Sequence, residues 1–86
     1  MVRLSIVVDS ISLVLQTYDQ IKVYKATAEA GPFSELTDAG TRIAMIPEVT
    51  IYEFEDSIGT TANWYRTAYY NSTTFAESAQ STSRQG

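Results

Sequence analysis

The 86-residue sequence contains neither cysteine nor histidine. Without cysteine there is no disulfide framework, and without both residues there is no zinc site of the usual Cys and His type. The same absence excludes a Ser-His or Cys-His nucleophile system. A chain this short buries only about 60–65% of its unfolded surface, so its stability is marginal unless something adds to it. Partner contacts therefore remain as the available source of extra stability.

Glycine and positive charge are also scarce. The four glycines are too far apart for a Gly-rich phosphate loop, so the sequence predicts no cofactor. Six basic and ten acidic residues give a formal charge of −4, which argues against nucleic acid as a partner. No apolar run approaches the roughly 18 residues of a membrane helix. Arg3 and Asp9 interrupt the first apolar stretch, so we expect no export signal and no membrane partner.

Alternating apolar and polar residues predict strands in the first half of the chain. Residues 2–8 form the first of these, and residues 11–15 are predicted as a second strand. Helix is the competing prediction for 11–15, but β-branched residues and alternation favour a strand. Residues 21–25 are predicted as a third strand, with Ile21 and Val23 inward. Phe33 and Leu36 are predicted to fold back onto the core from a loop or short strand.

The second half of the chain continues the pattern. A turn is predicted at 38–40, Pro47 belongs at a strand edge or break, and a strand follows with Tyr52 and Phe54 inward. The aromatic stretch 63–71 is predicted as a central strand, and 75–78 as a short final strand. We expect a single antiparallel β-sandwich domain over 1–80, with about six or seven strands, and a flexible C-terminal tail over 81–86. The predicted core is Leu4, Ile6, Leu13, Leu15, Ile21, Val23, Ile51, Phe54, Tyr65 and Phe75.

Several segments resemble a fibronectin type III domain, an immunoglobulin-like β-sandwich. Ile-Lys-Val-Tyr-Lys-Ala at 21–26 resembles the third strand of that family, and Gly-Pro-Phe-Ser-Glu-Leu at 31–36 resembles the loop that follows. Residues 52–56 followed by Gly59 resemble the approach to the sixth strand, 64–71 that strand, and 75–78 the last. The likeness spans roughly 10–81. It departs from the family at Asn63, where a corner tyrosine is expected.

Compact domains with Trp-Tyr-Arg before a short final strand, as at 64–66, are similar to fibronectin-like modules of bacteriophage virion proteins. The resemblance implies a non-enzymatic structural protein, a capsid decoration or tail-associated module. It implies viral structural proteins or copies of the chain itself as partners. A virion assembled in the host cytoplasm also agrees with the expected lack of an export signal. The alternative is a carbohydrate-binding or adhesion module.

Two clusters of side chains could carry chemistry. Glu53 and Glu55 project to one face of a strand and could form a cation site or an acid–base pair, although a solvated acidic face is the simpler interpretation. The aromatic stretch could place an anchor in an interface, and Trp64, Tyr70 and Arg66 are the candidate interface residues. Core packing is the competing interpretation of these rings.

The edges of the predicted sandwich point to assembly. Strand 2–8 carries only Arg3 as a positive charge and no proline, and the predicted last strand is short and nearly uncharged. Either could accept or supply a strand, because unblunted edges expose unpaired backbone groups. We therefore expect the chain to act as a homo-oligomer or bound to a larger protein.

Overall fold

The computed structural model describes residues 1–37 and 40–86, and over these ranges the chain is an all-β domain. The predicted antiparallel all-β fold with about six or seven strands is confirmed. The turn predicted at 38–40 lies largely outside the described residues. The described elements are β1 Val2–Val7, α1 Ile11–Val14, β2 Gln20–Ala26, β3 Ser34–Glu35, β4 Ile43–Ala44, β5 Ile51–Asp56, β6 Trp64–Tyr70 and β7 Arg84–Gln85.

The strands form two antiparallel sheets. One sheet contains only β1 and β5, paired along their whole lengths. The other is centred on β2, which pairs with β6 on one side and with the short β3 and β4 on the other. β7 extends this second sheet beyond β6. Both outer edges of the β1–β5 sheet therefore lack a strand neighbour within the described chain.

The core lies where the two sheets face each other. Val2 and Ile6 are buried on β1 while Arg3, Ser5 and Val7 are exposed, Val8 directly after the strand is buried, and Ile21 and Val23 on β2 are fully buried. Since alternate residues of a strand point to opposite faces, this pattern places one face of each sheet inward. The buried cluster contains Val2, Ile6, Val8, Ile11, Ile21, Val23, Met45, Tyr52 and Tyr65.

Seven of the ten predicted core residues lie in or against this core. Ile6, Ile21, Val23 and Tyr65 are buried, and Leu4, Leu15 and Phe54 pack against the cluster. The remaining three predictions are wrong, because those side chains are largely exposed: Leu13, Ile51 and Phe75. On β5 the inward face instead carries Tyr52 and Phe54, as the alternation predicts for those two residues.

The predicted second strand at 11–15 is a short helix instead. Ser10 adopts a left-handed conformation (φ 54°) and starts the turn, and the Leu15 N–H donates to the Ile11 carbonyl. The helix brings Ile11 and Leu15 onto the core and leaves Leu13 62% exposed. Positions i and i+4 share a helix face, whereas i+2 points away. This helix has four residues, and no helix among the described residues is long and apolar enough to cross a membrane.

The C-terminal part of the chain also differs from prediction. Phe75 has a left-handed backbone (φ 62°) and an exposed ring, and only an isolated bridge between Tyr70 and Glu77 forms where a last strand was expected. Residues 81–86, predicted as a loose tail outside the domain, instead contain β7, and Gly86 donates to the Asn63 carbonyl. The domain therefore includes the C-terminal segment.

Serine hydroxyls attach residues 78–81 to the outer edge of β6. The Ser78 and Ser81 N–H groups donate to the carbonyls of Tyr69 and Thr67, at 2.9 and 2.8 Å. In return, their hydroxyl oxygens accept from the Tyr69 and Thr67 N–H groups at 2.8 and 3.0 Å. A hydroxyl thus replaces the carbonyl that a regular strand would offer, which is why this segment accompanies β6 without the alternation of a strand.

Candidate functional site

The three predicted interface residues share one face of β6 but have different surroundings. Trp64, Arg66 and Tyr70 lie on the outer face, opposite the core face that carries Tyr65 and Tyr69. Trp64 is half-buried, whereas Tyr70 is only 9% exposed. Arg66 donates to the Ser83 hydroxyl at 2.9 Å. These residues do not form one exposed aromatic surface.

A network of charged side chains covers Tyr70. Lys22 and Arg42 lie over its ring, at 4.2 and 4.5 Å from the centroid. Arg42 donates two hydrogen bonds to Glu35, at 2.9 and 3.0 Å, and Lys22 contacts Glu77 at 2.7 Å. The cations thus bury the ring through cation–π contacts while pairing with carboxylates. This accounts for the burial of Tyr70, a predicted interface residue, on the outer face of the sheet.

The network perturbs the carboxylates within it. Hydrogen bonds from Arg42 hold the pKa of Glu35 below its ordinary value, against opposition from burial. Burial opposes ionisation of Glu77, but hydrogen bonds from Lys22 and Tyr24 outweigh it and lower the pKa of that carboxyl. Both groups are therefore ionised at neutral pH and engaged with partners. This network is suited to holding the outer face of the sheet together.

A second polar cluster joins the two sheets at the end of β5. Asp56 is 4% exposed and accepts from Tyr65 at 2.8 Å, with the Lys25 ammonium also 2.8 Å away. Burial opposes its charge, yet these two donors hold the pKa of Asp56 below its ordinary value. Gly59 leaves no room for a side chain, because a Cβ there would lie 2.7 Å from the Asp56 carboxylate. The cluster ties β2, β5 and β6 together.

The acidic pair proposed on β5 points to solvent. Glu53 and Glu55 are exposed, and Glu55 accepts from Arg3 of the neighbouring strand at 3.2 Å. Within residues 1–37 and 40–86, no group of three or more acidic side chains is arranged to hold a metal ion. The pair thus has the placement of a solvated face, and its cross-strand ion pair is an exposed one.

A groove of about 760 Å³ lies between the two sheets, and we call it the edge groove. Residues 3–7 of β1 form one wall, residues 81, 82, 84 and 85 the other, and residues 65–67 of β6 lie between them. Five consecutive strand residues can line one groove only along a strand edge, because alternate side chains point to opposite faces. The edge groove therefore runs beside the backbone of β1.

The backbone of β1 presents unpaired groups to this groove. The Val8 N–H donates to the Thr50 carbonyl at 2.8 Å, which makes Val8 and Thr50 a hydrogen-bonded pair. In an antiparallel ladder such pairs alternate with pairs whose N–H and C=O groups point outward. The register therefore directs the N–H and C=O groups of Arg3, Ser5 and Val7 away from β5. These are the groups that an added strand would use.

The opposite wall has the same character. The Gly86 N–H donates to the Asn63 carbonyl, so by alternation the backbone groups of Gln85 point away from β6. At its narrow end, the Gly86 Cα position lies so close to the Val2 side chain that a Cβ would meet it at 2.9 Å. The edge groove is thus a slot between two unpaired sheet edges that approach each other at one end.

The edge groove is also positively charged. Arg3, Arg66 and Arg84 are three of the six basic residues of the chain, and no acidic residue is among the groove-lining residues in the described ranges. Arg3 is paired with Glu55, whereas Arg66 and Arg84 have no carboxylate within 4.0 Å in the described part of the chain. A domain of net charge −4 therefore places three arginines beside its open strand edge; Arg3 pairs with Glu55, and Arg66 is held by Ser83 and the Phe33 ring.

Comparison with known proteins gave no match, either to a family model, to a curated protein or to a solved structure.

Sequence reasoning found one member of this groove and missed the others. Arg66 was a predicted interface residue and lines the edge groove, and the unblunted edge of residues 2–8 was also predicted. Arg84 was missed because its segment has no apolar alternation to predict a strand. Arg84 pairs with Tyr65, and it lies beside Arg3 only because the two sheets pack together, which no local pattern indicates.

Proposed function

We propose that this chain is a non-enzymatic structural module of a bacteriophage virion, a capsid decoration or tail-associated protein that binds a larger assembly. The observation that carries the proposal is the edge groove, where β1 offers unpaired backbone groups along residues 3–7. Edges left open in this way are docking points for another chain, and β-strand addition is a recurring mode of protein association.

Two further features support a binding role. The chain has 86 residues and a buried cluster of nine, so its own core is small. A partner that binds only the folded state adds stability by mass action. The charged side chains at the most buried polar sites, Asp56 and Lys22, are engaged in pairs that link strands, which is a structural use of charge. Assembly in the host cytoplasm onto a particle remains part of the proposal.

Particle fractionation tests this proposal. Lysate from cells in which the gene is expressed within its native phage genome would be separated on a density gradient, and the chain quantified by mass spectrometry. We expect it to sediment with capsid or tail proteins at a fixed ratio to them. Recovery only at the top of the gradient, with the free proteins, would contradict the proposal. Ribosomal proteins serve as the control for nonspecific adsorption.

Carbohydrate binding remains the weaker alternative, since it needs an exposed aromatic row. Tyr70 is buried, and Tyr65 and Tyr69 face the core, which leaves half-buried Trp64 as the aromatic stacking surface on the outer face of β6. A glycan array would still identify a carbohydrate ligand, and reproducible binding abolished by Trp64→Ala would favour this alternative.

A further inference from the structure

We propose that the edge groove binds an extended acidic segment of a partner protein, which adds to β1 as a new strand between β1 and β7. This inference rests on the proposed function and names the chemistry of the binding partner. It follows from the free backbone edge, the charge of the groove and the side chains that border it.

Backbone geometry sets the conformation of the partner segment. The N–H and C=O groups of Arg3, Ser5 and Val7 recur at every second residue, which is the spacing that a β-strand matches. A segment of about five residues, roughly 17 Å long when extended, would cover this edge. On its other side, the segment would meet the outward backbone groups of Gln85. Insertion would then join the two sheets through a shared strand.

Charge sets the composition of the partner segment. Arg84 has no carboxylate partner in the described residues and lines the slot that the segment would enter. Arg66 also borders the slot, but its guanidinium already donates to Ser83 and lies over the Phe33 ring. A carboxylate on the segment would therefore form charge-assisted hydrogen bonds with Arg84. A basic segment would be repelled by the same groups.

A second copy of this chain fits the edge groove less well. Pairing β1 with β1 of another copy would bring the arginines of two edge grooves into one interface, and like charges at an interface disfavour association. The outer edge of β5 carries Glu53 and Glu55, but β5 belongs to a folded two-stranded sheet, which cannot enter a slot closed on its other side by β7, whereas a single extended segment can. A free acidic segment brings no like charge into the edge groove and is not held in a sheet of its own.

The far end of the edge groove adds an apolar preference. Val7 is 62% exposed and lies opposite exposed Ile51 on the outer face of the β1–β5 sheet. A strand added next to β1 would place an apolar side chain beside Val7 and a carboxylate near Arg3. Cross-strand apolar neighbours of this kind stabilise a sheet. Arg3 and Val7 are four residues apart on the same face of β1, so the partner segment is expected to carry an acidic and a β-branched residue four positions apart on that face.

Fluorescence anisotropy with the full chain tests this proposal. The probe is a fluorescein-labelled eight-residue peptide with glutamates in one half, a valine in the other half four positions from one of them, and threonine elsewhere. Control peptides carry lysine or glutamine in place of glutamate. We expect the acidic peptide to bind more tightly than the glutamine peptide by at least tenfold, and the lysine peptide not to bind. Equal affinity for the acidic and lysine peptides would overturn the charge argument.

Two matched pairs of variants locate the site. Ser5→Pro removes an outward N–H from β1, whereas Glu53→Pro removes one from the opposite, outer edge of the same sheet. We expect Ser5→Pro to abolish binding and Glu53→Pro to preserve it. Arg84→Gln and Gln80→Glu change the net charge equally, but only Arg84 lines the edge groove. Arg84→Gln should weaken binding about tenfold, the effect of losing one charge-assisted contact, and Gln80→Glu should weaken it less than twofold.

The outcomes separate this inference from the proposed function. Unchanged binding by folded Ser5→Pro, with folding checked by circular dichroism, would overturn strand addition. The absence of peptide binding, together with a concentration-dependent dimer that Ser5→Pro dissociates, would assign the edge to a second copy and overturn the acidic partner. Peptide binding without recovery on particles would contradict only the virion role. Recovery on particles without peptide binding would contradict only this inference.

Discussion

The buried carboxylate of Asp56 provides the most direct test of how this small domain is held together. Replacement with alanine removes the acceptor for both Lys25 and Tyr65, each 2.8 Å away. Tyr65 is 2% exposed, so its hydroxyl would lose its only partner in the described chain without gaining water. The substitution therefore leaves two donors behind as well as removing an attraction.

The magnitude follows from these exposures. Breaking a buried ion pair by removing one partner costs about 3–5 kcal/mol. The Lys25 side chain is 20% exposed and can turn partly toward water, so we expect Asp56→Ala to cost about 3 kcal/mol, at the lower end of that range. For a domain of 60–100 residues, each kcal/mol lowers the melting temperature by about 4–8 °C. The melting temperature should therefore fall by about 12–24 °C.

Glu55→Ala is the matched control on the same strand. Its ion pair with Arg3 joins side chains that are 48% and 60% exposed, and exposed pairs of this kind contribute about 0–1 kcal/mol. Urea denaturation followed through Trp64 fluorescence, the single tryptophan of the chain, measures both variants. If Asp56→Ala costs no more than Glu55→Ala, the argument from burial is wrong. The double variant Asp56→Asn with Lys25→Met should be more stable than Asp56→Asn alone, because the double variant leaves no unpaired charge at Lys25.

Two other predictions concern polar groups that hold the fold. Tyr52→Phe should destabilise the domain by about 1–2 kcal/mol, because the Tyr52 hydroxyl accepts from the Ile46 N–H at 2.8 Å and donates to the Val49 carbonyl at 2.9 Å. Tyr18→Phe is the control, and equal urea midpoints for the two variants would contradict the assignment. Acid should also destabilise the protein: the pKa values of Asp56, Glu35 and Glu77 lie below the ordinary 3.8 and 4.5, so their stabilisation is complete above pH 4.5 and is lost as the pH falls below it. A melting temperature that stays constant between pH 6 and pH 3 would refute this.

The long strands were predictable because their faces differ in polarity. On β2, Ile21 and Val23 alternate with Lys22 and Tyr24, and the structure buries the first pair at 0% exposure. The same signal identifies β1 and places Tyr52 inward on β5. Such strands are specified locally, since a shift of one residue would expose every apolar side chain.

The misplaced elements lack a decisive local signal. Residues 11–15 contain apolar residues at 11, 13, 14 and 15, which fit both a strand and a helix; the left-handed turn at Ser10 decides for the helix. Phe75 is apolar yet exposed, while Arg84 belongs to a strand without alternation. Both outcomes depend on how the C-terminal segment lies along β6, through contacts of individual serines.

Of the candidate site, local reasoning could identify the open edge but not its charge. The lack of proline and the single arginine in residues 2–8 are visible in the sequence, and Arg66 stands out beside Trp64 and Tyr65. The edge groove itself arises from the distance between two sheets, which is a property of tertiary packing. The sequence names Tyr70 as an interface residue but does not indicate that cations cover its ring, because Lys22 and Arg42 come from distant elements.

The serine contacts along β6 divide its backbone amides into two populations. By alternation, the amides of Arg66 and Ala68 point toward β2, in the middle of the sheet, whereas those of Thr67 and Tyr69 are held by side-chain hydroxyls. We therefore expect residues 78–85 to separate from β6 while the β2–β6 ladder stays intact, in a sub-global opening that costs less than complete unfolding. Hydrogen–deuterium exchange at 67 and 69 would then run ahead of exchange at 66 and 68. Such an opening would also uncover β6 itself, so that an incoming chain could meet a longer edge than the closed form presents.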